Sequence, residues 1–233
     1  MRTIHSLPLA MFAVLAVAGT AIAQDKPPAL LSDVEVRQLV ARAEPADCER
    51  LASHFAVLAS RYAAEAKRHE SMAQASVGSA SRPTPTGMSM SAHCKRLAQL
   101  NTDSAATLNE LVKHYRQLAA GAASSPPPDS ARFEAGLGAP VASEAELVGL
   151  AGKARTPADH QALEQYFEAL ARRYTTEARE HAALAVSWKG ATRVPTAAIT
   201  AAHCDRLASE LRDAAKEAAA AAAMHKELAG AAR

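Results

Sequence analysis

The chain has 233 residues, of which 49% are hydrophobic and only 4% aromatic, and its formal net charge is +2 at pH 7. With 26 Lys and Arg against 24 Asp and Glu, the chain lacks the charge excess that marks proteins binding nucleic acid or an anionic membrane surface. Abundant alanine and few aromatic residues favour closely packed helices over a sheet or a large mixed core.

Residues 1–23 have the pattern of a secretory signal peptide. Arg2 gives the charged start, residues 7–18 form the apolar run, and small residues at 21 and 23 flank a cleavage site before Gln24. The run is shorter than the about 20 residues that a membrane-spanning helix needs, so we expect no stable span after cleavage. We therefore expect export to the periplasm, where disulfides can form.

The rest of the chain predicts helices alone, because alternating β-branched runs are absent. Residues 24–31 read as a flexible lead, 32–120 as a first helical hairpin repeat, 121–140 as a linker rich in Pro, Gly and Ser, and 141–233 as a second repeat. Ser32 with Glu35, and Ser143 with Glu146, have the spacing of a capping box at the start of a short helix.

Each repeat then continues with two long helices. Steps of four and three residues, typical of a coiled-coil seam, predict the inward face of the first: Leu51, Phe55, Leu58, Tyr62, Glu65, His69 and Met72, and in the second repeat Leu163, Phe167, Leu170, Tyr174, Glu177, His181 and Leu184. Residues 187–195, with Trp188, are predicted to form the second hairpin loop. Because short loops join antiparallel neighbours, we expect an up-down-up-down four-helix bundle.

The two repeats share more than their helix pattern. Residues 92–98 (AHCKRLA) return as residues 202–208 (AHCDRLA), and residues 61–69 return as residues 173–181. The polar residues kept in both copies are Tyr62 and Tyr174, Glu65 and Glu177, His69 and His181, His93 and His203, and Cys94 and Cys204. The helical rise brings His69 near His93 at the loop end of its hairpin, and the predicted bundle puts both groups at one end of the molecule.

One interpretation of this repeated set is a metal site. Imidazole and thiolate suit copper, zinc or nickel, and adding the carboxylates widens the choice to iron. The candidate ligands are Glu65, His69, His93, Cys94, Glu177, His181, His203 and Cys204. Met72, Met88 and Met90 would favour Cu(I), but they are not repeated. The spacing matches no established metal signature, and the sequence requires no cofactor.

The other interpretation, which we favour, is a structural polar layer with Tyr62 and Tyr174 that fixes the register of the helices. The function we predict is a non-enzymatic binding or interaction protein; the alternative is a copper or zinc carrier or sensor. The three cysteines, Cys48, Cys94 and Cys204, are an odd number, so at least one thiol is free or paired between molecules. A Cys94–Cys204 bridge and a disulfide-linked dimer both stay open, and a protein partner is a separate possibility.

Overall fold

The computed structural model describes residues 30–77, 88–121, 143–190 and 197–231. Within these ranges the chain forms six α-helices and no strand, so the predicted all-α class is confirmed. None of the described helices combines the length and apolar character needed to cross a bilayer. The predicted signal peptide, all but the end of the lead and all but the start of the predicted linker lie outside the described residues.

The six helices follow the predicted order of one short and two long helices per repeat. They are α1 (Asp33–Arg42), α2 (Pro45–Ala75), α3 (Met90–Gly121), α4 (Glu144–Lys153), α5 (Pro157–Gly190) and α6 (Ala197–Ala231).

Both short helices begin as the sequence predicts. Ser32 caps α1, and its side chain and backbone exchange hydrogen bonds with Glu35. Ser143 and Glu146 form the same capping box at the start of α4. Each box satisfies backbone N–H groups that would otherwise have no partner at a helix start.

The long helices of each repeat pack against each other. In the first repeat, Ser91 at the start of α3 donates to the Ala73 carbonyl near the end of α2, over 3.1 Å. At the opposite end of this pair, the rings of Phe55 and Tyr115 stack with centroids 5.5 Å apart. Because early α2 meets late α3, the two helices are antiparallel. The seam predicted for α2 is buried over its whole length.

Two pairs of long helices join the second repeat to the first, in addition to the contacts of α4 with α2 and of α1 with α5. Helix α3 packs against α6, where Thr107 donates to Glu210 at 3.1 Å and Arg206 pairs with Glu110. Helix α2 faces α5 at a greater distance, across large side chains: His69 lies over Phe167 and His181 lies near Phe55.

These contacts correct the predicted direction of α5 relative to α2. Late α2 meets early α5, and early α2 meets late α5, so α2 and α5 are antiparallel rather than parallel as in an up-down-up-down bundle. The repeated residues of the two copies therefore lie at opposite ends, not at one end. The loop rule that predicted the order holds within a hairpin, but α3 and α5 are joined through α4, and this longer connection leaves the direction free.

Two smaller features complete the fold. Trp188 was predicted in a loop, but α5 continues through Gly190 and buries the indole against Tyr115. Helix α4 packs against the end of α2, and a Cβ at Gly152 would lie 3.0 Å from the Ala75 carbonyl oxygen. This close approach of two helix backbones favours glycine, since any larger residue would need the Ala75 backbone to shift.

Candidate functional site

A buried polar layer joins α2 to α5 in the middle of the molecule. Glu177 accepts hydrogen bonds from Arg61 Nη2 at 2.6 Å and from the Tyr62 hydroxyl at 2.5 Å. In the other direction, Glu65 accepts from Arg173 Nη2 at 3.1 Å. Each repeat thus supplies the arginine that binds the other repeat's glutamate. We call these five residues the crossed layer.

The two halves of the crossed layer differ in their remaining partners. Glu65 Oε1 also accepts from the Tyr166 hydroxyl and from Arg68 Nη1, each at 2.9 Å. Tyr174, the counterpart of Tyr62, donates to Asn101 Oδ1 at 2.8 Å instead of to a glutamate. Both predicted layer tyrosines therefore lie in the middle of the molecule, with ring centroids 6.4 Å apart, but only Tyr62 bonds to a repeated glutamate.

The charges in this layer stabilise one another. Burial alone would raise the pKa of Glu65, but Arg173 and Arg68 lower it below its usual value. Burial, and then the Glu177 carboxylate, raises the pKa of Tyr62 well above its usual value, so the hydroxyl stays protonated and can donate. Both glutamates, which were candidate metal ligands, are thus bound by arginine and tyrosine donors of the protein.

The repeated histidines on α2 and α5 are buried beside phenylalanine rings of the other repeat. Neither ring nitrogen of His69 has a hydrogen-bond partner among the described residues, and Glu65 Oε1 is 3.6 Å from its Nε2. Its ring lies over Phe167, and burial lowers the pKa of His69 to about 4. His181 has the equivalent place beside Phe55, where burial lowers its pKa to about 3. Both side chains are neutral at pH 7.

The repeated histidines on α3 and α6 each face a carboxylate of the other repeat. His93 Nδ1 lies 2.5 Å from Glu217 Oε1, and the His93 ring is buried. His203 Nδ1 lies 3.4 Å from Glu110 Oε2 and is partly exposed. The first contact has the geometry of a strong N–H···O bond, whereas the second belongs to a surface ion pair.

Soft donor atoms meet at one end of the molecule. The Met90 thioether sulfur lies 3.9 Å from Cys94 Sγ and 3.1 Å from His225 Nε2. On its other side, His225 Nδ1 lies 3.2 Å from Nδ1 of His160. Phe167 stacks on the His225 ring with centroids 5.8 Å apart. We call Met90, Cys94, His160, Phe167 and His225 the Cys94 end.

The equivalent positions meet at the opposite end and carry different donors. Tyr115 stacks on Phe55 and lies beside Thr200. Burial is the main cause that raises the pKa of Tyr115, and the nearby Cys204 and Cys48 thiols raise it further. We call Cys48, Phe55, Tyr115, Thr200 and Cys204 the Cys204 end. When the two repeats are aligned, Met90 corresponds to Thr200, Tyr115 to His225 and Cys48 to His160.

All three cysteines are free and buried. Burial raises the pKa of Cys94 and of Cys204 to about 12. Cys204 lies near Tyr115, which is 21 residues from Cys94 on α3, a distance of about 30 Å along the helix. An intramolecular Cys94–Cys204 bridge is therefore wrong, since bridged Cα atoms lie within about 7 Å.

The structure does not assemble the eight predicted metal candidates into one site. Within the described residues, no group of three or more His, Cys, Asp or Glu side chains is placed to hold a metal ion. Near Cys94 the structure adds Met90, His160 and His225. Sequence reasoning passed over the two histidines because neither is repeated as histidine, and their helices meet only in the fold.

A surface pocket lies elsewhere, along α4 and the start of α5. Its lining includes Glu146, Leu150, Lys153 and Asp159, and none of the predicted site residues. No family model matches the chain, and no curated protein or solved structure shows significant similarity to it. The chemistry of its own side chains therefore carries the functional interpretation.

Proposed function

We propose that this chain is an exported, non-enzymatic binding protein in which two helical hairpins form one four-helix bundle. The crossed layer is the observation that carries the proposal. Arg61 reaches Glu177 and Arg173 reaches Glu65, so each repeat supplies an arginine to the other repeat's buried glutamate, in addition to the Arg68 that binds Glu65 within the first repeat. Breaking a buried ion pair is destabilising, so these pairs between the repeats favour association of the two hairpins.

The proposed bundle has an order around its axis of α2, α3, α6 and α5, with every neighbouring pair antiparallel. A pseudo-two-fold axis perpendicular to the bundle then relates the repeats. The contacts of Phe55 with His181 and of Phe167 with His69 support this arrangement, because they exchange under that symmetry. The middle of the bundle is structural, which leaves its two ends as places for binding.

Binding rather than catalysis is supported by the state of the buried nucleophiles. Burial raises the pKa of Cys94 and of Cys204 to about 12, so both are thiols at neutral pH. Thiolate is the reactive form, and a pKa of about 12 lowers its population by about 10³-fold relative to an ordinary cysteine. Nucleophilic catalysis needs the opposite shift.

Thiol reactivity tests this proposal. In a Cys48→Ser variant, we expect Cys94 and Cys204 to react with a disulfide reagent at pH 7.5 at least about 10³-fold more slowly in the folded protein than in denaturant. Rapid labelling of one equivalent in the folded protein would reveal an activated nucleophile and overturn the non-enzymatic proposal. Mass spectrometry identifies the labelled cysteine.

The second candidate function is a transition-metal carrier or sensor. Its support is the meeting of sulfur and imidazole donors at the Cys94 end, where Met90 Sδ lies 3.1 Å from His225 Nε2. We expect protein recovered from the periplasm without chelator to contain about one equivalent of a single metal. Metal-free protein that also ignores added copper and zinc would eliminate this candidate and leave binding of a protein partner.

A further inference from the structure

We propose that the Cys94 end binds one Cu(I) ion through Met90 Sδ, Cys94 Sγ and His225 Nε2. This inference rests on the proposed metal-binding function and specifies its ion and ligands. The three donors come from α3 and α6, and thus from both repeats. Copper binding would therefore join the hairpins at this end as the crossed layer joins them in the middle.

The spacing of the two sulfur atoms fits a shared ion. Metal–sulfur bonds of about 2.3 Å place two sulfurs in a trigonal arrangement about 4 Å apart. Met90 Sδ and Cys94 Sγ are 3.9 Å apart. The corresponding sulfur–nitrogen separation is about 3.7 Å, and Met90 Sδ and His225 Nε2 are 3.1 Å apart, so a shift of the Met90 sulfur by about 0.6 Å gives this pair the separation that a shared ion needs.

His160 can set the tautomer that binding requires. Its Nδ1 lies 3.2 Å from His225 Nδ1, and because the ring centroids are 5.4 Å apart the rings meet edge to edge. When His225 Nδ1–H donates to His160, His225 Nε2 carries the free lone pair and points at Met90 Sδ. Histidine ligands usually donate their second ring nitrogen in this way, which fixes the ring.

The ligand types select the ion. Thioether and thiolate favour Cu(I), whereas Zn²⁺ prefers four ligands drawn from thiolate, imidazole and carboxylate. Only Cys94 and His225 among the three donors suit zinc. Binding forms the Cu–S bond and releases the Cys94 thiol proton to solvent, with no electron transferred when copper is supplied as Cu(I).

The Cys204 end is a control within the same molecule. It keeps the repeated cysteine and has the buried Cys48 where the Cys94 end has His160, but Thr200 replaces the thioether and Tyr115 replaces the imidazole. Hydroxyl and phenol oxygens are poor partners for Cu(I). We therefore expect one copper ion per chain rather than two, although the repeat preserves both cysteines.

The test is an anaerobic competition between the mature chain and a chromophoric Cu(I) chelator such as bicinchoninate. We expect the wild type to withdraw one equivalent of copper. Cys94→Ala and the volume-conserving Met90→Leu should each weaken binding by more than about 100-fold, while Cys204→Ala should bind like the wild type. His160→Leu should weaken binding by about 10–100-fold, as expected for loss of the hydrogen bond to a ligand.

The outcomes separate the site from the function. Undiminished copper binding in both Met90→Leu and Cys94→Ala would overturn the site but leave metal binding in place. A wild type that binds neither Cu(I) nor Zn²⁺ would overturn the metal function together with the site. Far-UV circular dichroism checks the fold of each variant, and Met90→Leu decides the question if Cys94→Ala unfolds.

Discussion

The two ends of the molecule share a frame but differ in chemistry. Each has a phenylalanine, Phe55 or Phe167, that stacks against a residue near the end of a long helix, and each buries a repeated cysteine. The residue stacked on the phenylalanine is Tyr115 at one end and His225 at the other. The repeat thus preserves packing residues, while the side chains that differ between copies determine which end can bind a ligand.

Transferring the differing side chains should produce the largest effect. We expect the Thr200→Met/Tyr115→His variant to bind a second equivalent of Cu(I), because Cys204 would then have the partners that Cys94 has now. The same competition with a chelator measures the stoichiometry. A variant that keeps its fold but still binds one equivalent would show that the donor set alone does not create the site.

Removing either phenylalanine should have nearly the same effect on stability. Phe55→Ala and Phe167→Ala should each lower the free energy of unfolding by about 3–5 kcal/mol, because both rings are fully buried and leave a cavity. Urea denaturation of metal-free protein measures both. A much smaller loss for Phe167→Ala would show that the Cys94 end is packed less tightly than the Cys204 end.

The two halves of the crossed layer should be unequal. Arg173 contacts Glu65 at 3.1 Å and Glu177 at 3.8 Å, whereas Arg61 pairs only with Glu177 among the described residues. We expect Arg173→Met to lower the free energy of unfolding by about 3 kcal/mol and Arg61→Met by about 1–2 kcal/mol, as measured by urea denaturation.

The adjacent Arg172 provides the control for these variants. It pairs with Glu168 at an exposed site, with side chains 71% and 46% exposed, so Arg172→Met should change the free energy of unfolding by less than about 0.5 kcal/mol. Equal losses for Arg61→Met and Arg173→Met would contradict the unequal sharing of the two arginines.

Acid should destabilise both ends through their repeated histidines. Burial lowers the pKa of His69 to about 4 and of His181 to about 3, below about 6.5 in the unfolded chain. Below about pH 6.5 the unfolded chain therefore binds more protons than the folded chain. The stabilisation is present in full above about pH 6.5, and the free energy of unfolding falls as the pH decreases towards these pKa values. Each histidine contributes up to about 1.4 kcal/mol per pH unit.

Replacing either histidine by phenylalanine should remove one of the protons that the chain takes up when it unfolds in acid. We expect His69→Phe and His181→Phe to flatten the plot of unfolding free energy against pH between pH 6 and about pH 4 by similar amounts. Urea denaturation at a series of pH values gives the slopes. An unchanged slope in one variant would mean that its histidine titrates normally in the folded protein.

The sequence predicted what depends on a single helix. The capping residues Ser32 and Ser143 begin α1 and α4, and the seam containing Leu51 and Tyr62 is buried as its spacing indicated. Such features follow from local hydrogen bonding and helical periodicity. The repeat also directed attention to Glu65 and its counterpart, although it did not show which arginine each one binds.

What depends on the direction of packing could not be predicted. An amphipathic stripe looks the same whether its neighbour runs parallel or antiparallel, so the reversal of α5 relative to α2 had no signal in the pattern. That reversal is what brings His160 and His225, near opposite ends of the second repeat's sequence, beside Met90 and Cys94 of the first.

The crossed layer also bears on how this protein can assemble. Because Glu65 is bound by Arg173, and Glu177 by Arg61, each hairpin needs a hairpin of the other kind but not one from the same polypeptide. Two chains that exchange their second hairpins would form the same ion pairs, which is the condition for domain swapping. At high concentration, we therefore expect dimers in which these ion pairs form between the two chains.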